Sequence, residues 1–166
     1  MGPVETTEGE RRAVEALQAS GIPHVVTRHG PVRSLAEAAA ARGIDPSQVI
    51  KTIVVRRGDD DFLFLLVPGG RAIAWPRLRE LLGVNRLSMP DAATARDVTG
   101  YERGTITPFG SLHPWPVIAD ARVRGLVSIG AGAHGVSATL DGEALVRVLG
   151  ATVADVTDPE PEPTVG

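Results

Sequence analysis

Lys51 is the only lysine in this chain of 166 residues, and it opens the strand-like run 51–55, KTIVV. All other long cationic side chains are arginines. An ammonium is a compact charge with three donors, whereas a guanidinium is a flat fork, so the two groups do not exchange freely at a binding site. Lys51 is therefore a candidate for a chemical role. The alternative is a lysine at a strand end that merely holds its charged head in water.

The glycine- and proline-rich segment 100–110, GYERGTITPFG, is a second candidate. Glycine lets a ligand approach the main chain closely, and proline stiffens a loop. Gly104 and Pro108 form a Gly-x-x-x-Pro unit that can point backbone N–H groups at a carbonyl oxygen or a phosphate. The same pattern also occurs in ordinary tight turns, so the segment alone leaves both interpretations open.

A further glycine-rich turn, IGAGAHG, covers residues 129–135. It lacks the Lys-Ser/Thr pair of a nucleotide-binding phosphate loop, and a strand is predicted after it instead of a helix. The four histidines have no zinc-ligand spacing, and the absence of cysteine excludes thiolate nucleophiles and cysteine-based zinc sites. We therefore expect neither a metal nor a cofactor. Of the histidines, His29 is the best site candidate because it lies in a loop between predicted elements.

The composition is that of a globular domain, with 43% hydrophobic and 22% charged residues. No run is long or apolar enough to span a bilayer and no signal-peptide pattern is present, so a cytoplasmic protein without membrane contact is expected. The formal net charge of −3 argues against broad binding to nucleic acid, and no DNA partner is expected. One stretch is locally basic, and it can hold a single-stranded nucleic-acid end or simply form a solvated helix surface. Its arginines are Arg71, Arg77, Arg79 and Arg86.

Helix and strand signals are interleaved along the chain. Capping residues and glycine stops predict helices after Thr7, Ser34 and Asp141, and short turns join many of the predicted strands. This pattern favours a single α+β domain, with a mixed, largely antiparallel, barrel-like sheet surrounded by helices. We predict that the domain covers residues 1–156. Residues 157–166 are predicted to be a disordered tail, because their prolines cannot donate to a sheet and nothing apolar anchors them.

The order and spacing of these segments resemble the YbaK/prolyl-tRNA-synthetase-associated domain family. The resemblance rests on QVIKTIVV at 48–55, on the Gly-x-x-x-Pro loop, and on the glycines of the turn at 129–135 before a strand. It covers roughly residues 14–156. The resemblance implies a single α+β domain that hydrolyses the ester of mischarged aminoacyl-tRNA in trans, without a metal and without a covalent intermediate.

By position, the essential lysine of that family falls on Lys51, its loop glycine on Gly104, and its histidine after the first strand on His29. The resemblance then implies that Lys51 holds the acceptor end or the ester carbonyl, and that the Gly104 backbone fixes the aminoacyl carbonyl or a water. An aminoacyl ester is already activated, so positioning and charge stabilisation can suffice without a catalytic triad. Further substrate-binding positions are expected at Thr27, Thr105, Pro108, Gly130, Gly132 and Ser137.

The cysteine-specific branch of the family carries a tyrosine and an aspartate where this chain has Thr27 and Ser137, which argues against specificity for cysteine. Small neutral residues predict a pocket that sorts by size, so alanine or serine is the expected aminoacyl group. The resemblance implies that the tRNA is that of proline. An aminoacyl-tRNA synthetase is a further candidate partner. The alternative function is a non-catalytic tRNA- or synthetase-binding module of the same fold. A DNA-binding regulator has little support, because no helix-turn-helix signal is present.

Overall fold

The computed structural model describes residues 6–161, which form α-helices and strands in mixed order. The helices are α1 (Glu8–Ser20), α2 (Leu35–Arg42), α3 (Trp75–Leu82), α4 (Ala92–Thr99) and α5 (Gly142–Leu149). The strands are β1 (His24–Arg28), β2 (Val49–Gly58), β3 (Asp61–Pro68), β4 (Arg71–Ile73), β5 (Val117–Asp120), β6 (Leu126–Gly130), β7 (Val136–Asp141), β8 (Thr152–Ala154) and β9 (Thr157–Pro159). A single 3₁₀ turn, Pro46–Gln48, leads into β2.

The helices begin and end where the local sequence predicts, because side chains and glycines supply the missing backbone partners. The Thr7 hydroxyl accepts a hydrogen bond from the Glu10 N–H at 3.1 Å, and Ser34 accepts one from the Glu37 N–H at 3.1 Å. All five helices are followed by a glycine in the left-handed region, as at Gly21. These local signals explain why the helix boundaries can be read from the sequence.

Seven strands form one mixed sheet in the order β1-β7-β6-β2-β3-β5-β8. The pairs β1–β7, β6–β7 and β2–β3 are antiparallel, and the pairs β2–β6, β3–β5 and β5–β8 are parallel. The predicted α+β domain with a mixed sheet and surrounding helices is confirmed. The sheet is open and not barrel-like, because the parallel crossovers to β5 and β8 extend one edge away from β1.

Apolar residues cover both faces of the central hairpin β2–β3. Successive residues of a strand point to opposite faces, so Phe64 joins the larger core with Ile129 and Leu145, while Leu65 joins a second layer with Leu78. Nearly all of β3 is buried for this reason. The hairpin is therefore the rigid centre from which the neighbouring strands are positioned.

The C-terminal strand corrects the predicted disordered tail. The sequence predicts disorder from residue 157, but β9 pairs antiparallel with β4, with Thr157 opposite Ile73. A proline interrupts a ladder only where its missing N–H is needed, and Pro159 stands at the last position of this short strand. Residues 162–166 of the predicted tail lie outside the described residues.

Polar contacts hold this strand in place, in addition to Val156, which is buried in the second core layer directly before it. Asp120 is fully buried and accepts hydrogen bonds from the Val156 N–H at 3.1 Å and from the Thr157 hydroxyl at 2.9 Å. Arg71 donates from Nε to the Thr157 hydroxyl oxygen at 2.7 Å. Arg122 donates from Nη1 to the Asp120 carboxylate at 3.2 Å. We call Arg71, Asp120 and Thr157 the C-terminal clamp.

The clamp predicts that Thr157→Val destabilises the protein by about 1–3 kcal/mol, because the substitution keeps the shape but leaves buried polar partners unsatisfied. Thr152→Val is the matched control, since Thr152 is an exposed threonine on the neighbouring strand β8, and it should change the free energy of unfolding by no more than about 0.5 kcal/mol. Urea unfolding of both variants measures the difference. Equal stabilities would contradict the proposed anchoring.

Candidate functional site

Four of the predicted site residues lie in one row across four neighbouring strands of the sheet. Thr27 on β1 lies opposite Ser137 on β7, and Ser137 lies opposite Gly130 on β6. Lys51 on β2 directly follows Ile50, whose parallel partner is the residue before Gly130. Paired residues of neighbouring strands share a face, and successive residues alternate. Thr27, Ser137, Gly130 and Lys51 therefore lie on the same face, across four adjacent strands.

This face of β6 and β7 is polar, whereas the opposite face packs Ile129 and Ala138 into the core. We call Thr27, Gly130 and Ser137 the polar strip. Ser137 is fully buried, and its hydroxyl has no hydrogen-bond partner within residues 6–161. Buried polar atoms are normally satisfied, so an unpartnered hydroxyl marks a place where a substrate group or a water can bind.

Arg42, in the last turn of α2, lies beside this strip. It donates from Nη1 to the hydroxyl of Ser128 on β6 at 3.3 Å, two residues before Gly130. Burial lowers the pKa of the Arg42 guanidinium. The α2 helix therefore covers the polar strip from one side with a cation.

Lys51 is exposed and lines a cavity of about 420 Å³. It is the third residue of β2, not the opening residue that the sequence suggests, because the strand begins at Val49. Other parts of the wall come from the residues before and within α2, including Arg33 and Leu35, and from Gly69 after β3. None of the ion pairs in the described part of the chain involves Lys51. Its ammonium is therefore available to a ligand.

The Gly104 loop is a folded turn with an exposed tip. The Thr105 N–H and hydroxyl both donate to the Glu102 carbonyl oxygen, at 2.9 Å and 2.8 Å. Gly104 is exposed and has a φ of +87°, a backbone conformation that residues other than glycine rarely adopt. A Cβ added there would lie 3.4 Å from Cε1 of His134. The backbone at Gly104 therefore faces outward, next to the His134 ring.

The loop passes over the polar strip. A Cβ added at Gly130 would lie 3.7 Å from the Ile106 carbonyl oxygen and 3.9 Å from that of Thr105. The Gly132 N–H also donates to the Thr105 carbonyl oxygen at 3.2 Å. Gly104, Thr105, Gly130 and Gly132 thus lie close together through backbone contacts.

Pro108 lies where the loop returns to the core. Its neighbour Thr107 is fully buried and accepts a hydrogen bond from the Phe109 N–H at 3.3 Å. The Tyr101 hydroxyl donates to the Phe109 carbonyl oxygen at 2.6 Å, and burial raises the pKa of Tyr101 to about 12, so this hydroxyl stays protonated at neutral pH. The segment around Pro108 is therefore anchored by its two neighbours, Thr107 and Phe109.

Two histidines flank the site, and sequence reasoning gave a role to only one. The backbone N–H of His29 donates to the Gly135 carbonyl oxygen at 2.9 Å. The buried ring atom Nε2 of His29 has no hydrogen-bond partner in the described part of the chain. His134 lies beside Gly104, with Nε2 at 3.7 Å from the Glu102 carboxylate. Its place inside a glycine-rich turn was the signal that could have identified it.

Three of the predicted site residues line two separate cavities, and the others line neither of the two. Lys51 lines the first, whereas Thr105 and Gly132 line a second cavity of about 320 Å³ beside the start of α1. Within residues 6–161, no three potential metal-ligating side chains cluster together. In the same range, no helix has the length and apolar character needed to cross a membrane.

Comparison with known proteins identifies the family. Residues 29–148 match the model of the aminoacyl-tRNA editing domain, so the chain belongs to this family. Proline–tRNA ligase of Bacillus licheniformis is 28% identical over 130 residues, which are 78% of this chain and 21% of the ligase. The enzyme of Desulforamulus reducens is 35% identical over 98 residues, 59% of this chain and 17% of that one. The chain thus spans about a fifth of the length of these curated relatives.

Solved structures confirm the fold. The hypothetical protein APE2540 superposes with a TM-score of 0.80 at 26% identity, covering 89% of this chain and 99% of that protein. A protein described as a candidate trans-editing enzyme for prolyl tRNA synthetase gives a TM-score of 0.83 at 24% identity, covering 93% of this chain and 99% of that one. The match over residues 29–148, together with this fold, confirms the family that the sequence resembles.

The unpartnered hydroxyl of Ser137 generates a stability prediction. Ser137→Ala should be at least as stable as the wild type, because an unsatisfied buried polar group costs about 1–3 kcal/mol. Ser128→Ala is the matched control on the neighbouring strand, and it should destabilise by about 1 kcal/mol because it removes the hydrogen bond from Arg42. Urea unfolding compares the two. Equal losses would mean that the Ser137 hydroxyl is hydrogen-bonded in solution.

Proposed function

We propose that this chain is an aminoacyl-tRNA deacylase that hydrolyses the ester of mischarged tRNA in trans. The observation that carries the proposal is the position of Lys51. Lys51 lines a cavity without an ion-pair partner among residues 6–161 and shares a sheet face with the polar strip, and the Gly104 loop crosses that strip at Gly130. Lys51 and the loop thus both lie next to Gly130, each on its own side.

The reaction needs stabilised charge more than a strong nucleophile. Water adds to the ester carbonyl carbon, the bond to the ribose oxygen breaks, and a proton passes to that oxygen. Charge develops on the carbonyl oxygen in the transition state, where a preorganised cation and backbone donors are most effective. Lys51 would stabilise that oxygen or hold the acceptor end, and the Gly104 backbone would orient the carbonyl or the water. A ribose hydroxyl of the substrate can relay the proton.

The polar strip suggests which ester is cleaved. Thr27 and Ser137 are small and neutral, so the pocket would sort mainly by size, and one methylene is worth only about 1–3 kcal/mol. We therefore propose alanine and serine as the preferred aminoacyl groups, with phenylalanine rejected sterically. Because the relatives described above are proline–tRNA ligases, the proposed tRNA is that of proline, and a synthetase is a proposed partner.

Lys51→Ala tests the role of the ammonium. Hydrolysis of alanyl- and seryl-tRNA should slow about 10²-fold or more, the scale of losing one preorganised donor. Lys51→Arg should also be poor, because the guanidinium fork is larger and differently directed. Both variants should unfold at nearly the wild-type urea concentration, because Lys51 is exposed.

Arg56→Ala is the matched control for Lys51. Arg56 is a cation on the same strand whose exposed pair with Asp59 has a distance of 2.9 Å, and such pairs contribute only about 0–1 kcal/mol. Its loss should leave hydrolysis unchanged. A Lys51→Ala protein that folds and hydrolyses at the wild-type rate would overturn the mechanism. Binding of tRNA without hydrolysis by the wild type would instead support the non-catalytic module.

The Gly104 loop is expected to act through its backbone. Gly104→Val should abolish hydrolysis, because a β-branched side chain at φ +87° blocks close approach of the acceptor end beside His134. Gly125→Val is the control for backbone strain alone, since Gly125 has a φ of +63° in a turn with open space around it. Both variants should lose similar stability in urea, and only Gly104→Val should lose activity. Similar activities would assign the function to another group.

A further inference from the structure

The cavity beside Lys51 is lined in part by a residue that lies outside the segment matched to the family. The match ends at residue 148, but Glu160, which directly follows β9, also lines this cavity. The Glu160 N–H donates to the Gly70 carbonyl oxygen at 2.9 Å. The C-terminal segment of the chain is therefore part of the surface that surrounds Lys51.

The C-terminal clamp and Arg77 fix the segment that carries Glu160. Arg77 donates from Nη2 to the Thr157 carbonyl oxygen at 2.6 Å and to the Asp158 carboxylate at 2.9 Å. Arg71 reaches the same carbonyl at 3.0 Å from its own Nη2. These contacts hold the backbone just before Glu160 against β4 and α3. Glu160 thus directly follows a strand, β9, that is paired with β4.

The charges around the cavity are unequal. Among the described residues that line it, three carry cations, namely Lys51, Arg33 and Arg71, and Glu160 alone carries a carboxylate. None of the ion pairs in the described part of the chain includes Glu160. The carboxylate is therefore free to bind a cationic group of a ligand.

An aminoacyl ester carries such a group. Its α-ammonium is attached to the carbon next to the ester carbonyl, so a substrate whose carbonyl lies near Lys51 brings a second ammonium into the same cavity. Like charges repel, and an opposite charge nearby offsets the repulsion. Resting on the proposed function, we propose that Glu160 binds the α-ammonium of the aminoacyl group. Glu160 then selects aminoacyl esters over esters that lack the charge.

A pair of substrates of matched size tests this role. Alanyl-tRNA carries the α-ammonium, and lactyl-tRNA carries a hydroxyl in its place. Glu160→Gln should lower kcat/KM for alanyl-tRNA about tenfold or more, the scale of one charge-assisted hydrogen bond, and leave lactyl-tRNA nearly unchanged. The control is Asp59→Asn, since Asp59 is an exposed carboxylate that is paired with Arg56 in the turn between β2 and β3. It should affect neither substrate.

The outcomes separate this proposal from the proposed function. An equal loss on both substrates would mean that Glu160 only supports the structure, and no loss on either would mean that it does not touch the substrate. Each result overturns the proposal and leaves the deacylase function intact. A wild-type protein that hydrolyses neither ester would overturn the deacylase function, and the role of Glu160 with it.

Discussion

The register of β2 between its two neighbours is the constraint on which the candidate site depends. Ile50 pairs with Pro68 on one side and with Ile129 on the other, and its side chain is buried in the larger core. A slip of one residue would turn Ile50 to the face that carries the polar strip and Lys51 into the larger core. Burying the lysine charge there would be costly. The apolar residue thus fixes the direction of the ammonium beside it.

Distant polar contacts complete the same surface. Two arginines of the basic stretch, Arg71 and Arg77, are bound to the C-terminal strand and so serve the fold. Arg122 also joins this network, and its hydrogen bond to Asp155 lowers the pKa of that carboxyl. The C-terminal strand is thereby tied to the domain by ionic and hydrogen-bonded contacts beside the second core layer, in which Val156 is buried.

Local signals made most of the fold predictable, and sequence separation explains what was missed. Helix ends follow from capping residues and glycines, and the hairpin follows from its turn. The resemblance to a family supplied the residues of the polar strip. By contrast, the Thr157 hydroxyl binds Asp120 and Arg71, which lie 37 and 86 residues away. The proline-rich composition of the segment does not indicate such distant partners. The contact of His134 with Gly104 likewise depends on how two loops meet.

The start of α1 packs directly against the glycine-rich turn at residues 129–135. A Cβ at Gly9 would collide with the carbonyl oxygen of Gly132, and a Cβ at Gly132 with that of Gly9, so the two backbones touch. Gly132 in turn is bonded to Thr105, next to Gly104. The first turn of α1 therefore supports the loop from behind, through Gly132 and its hydrogen bond to Thr105.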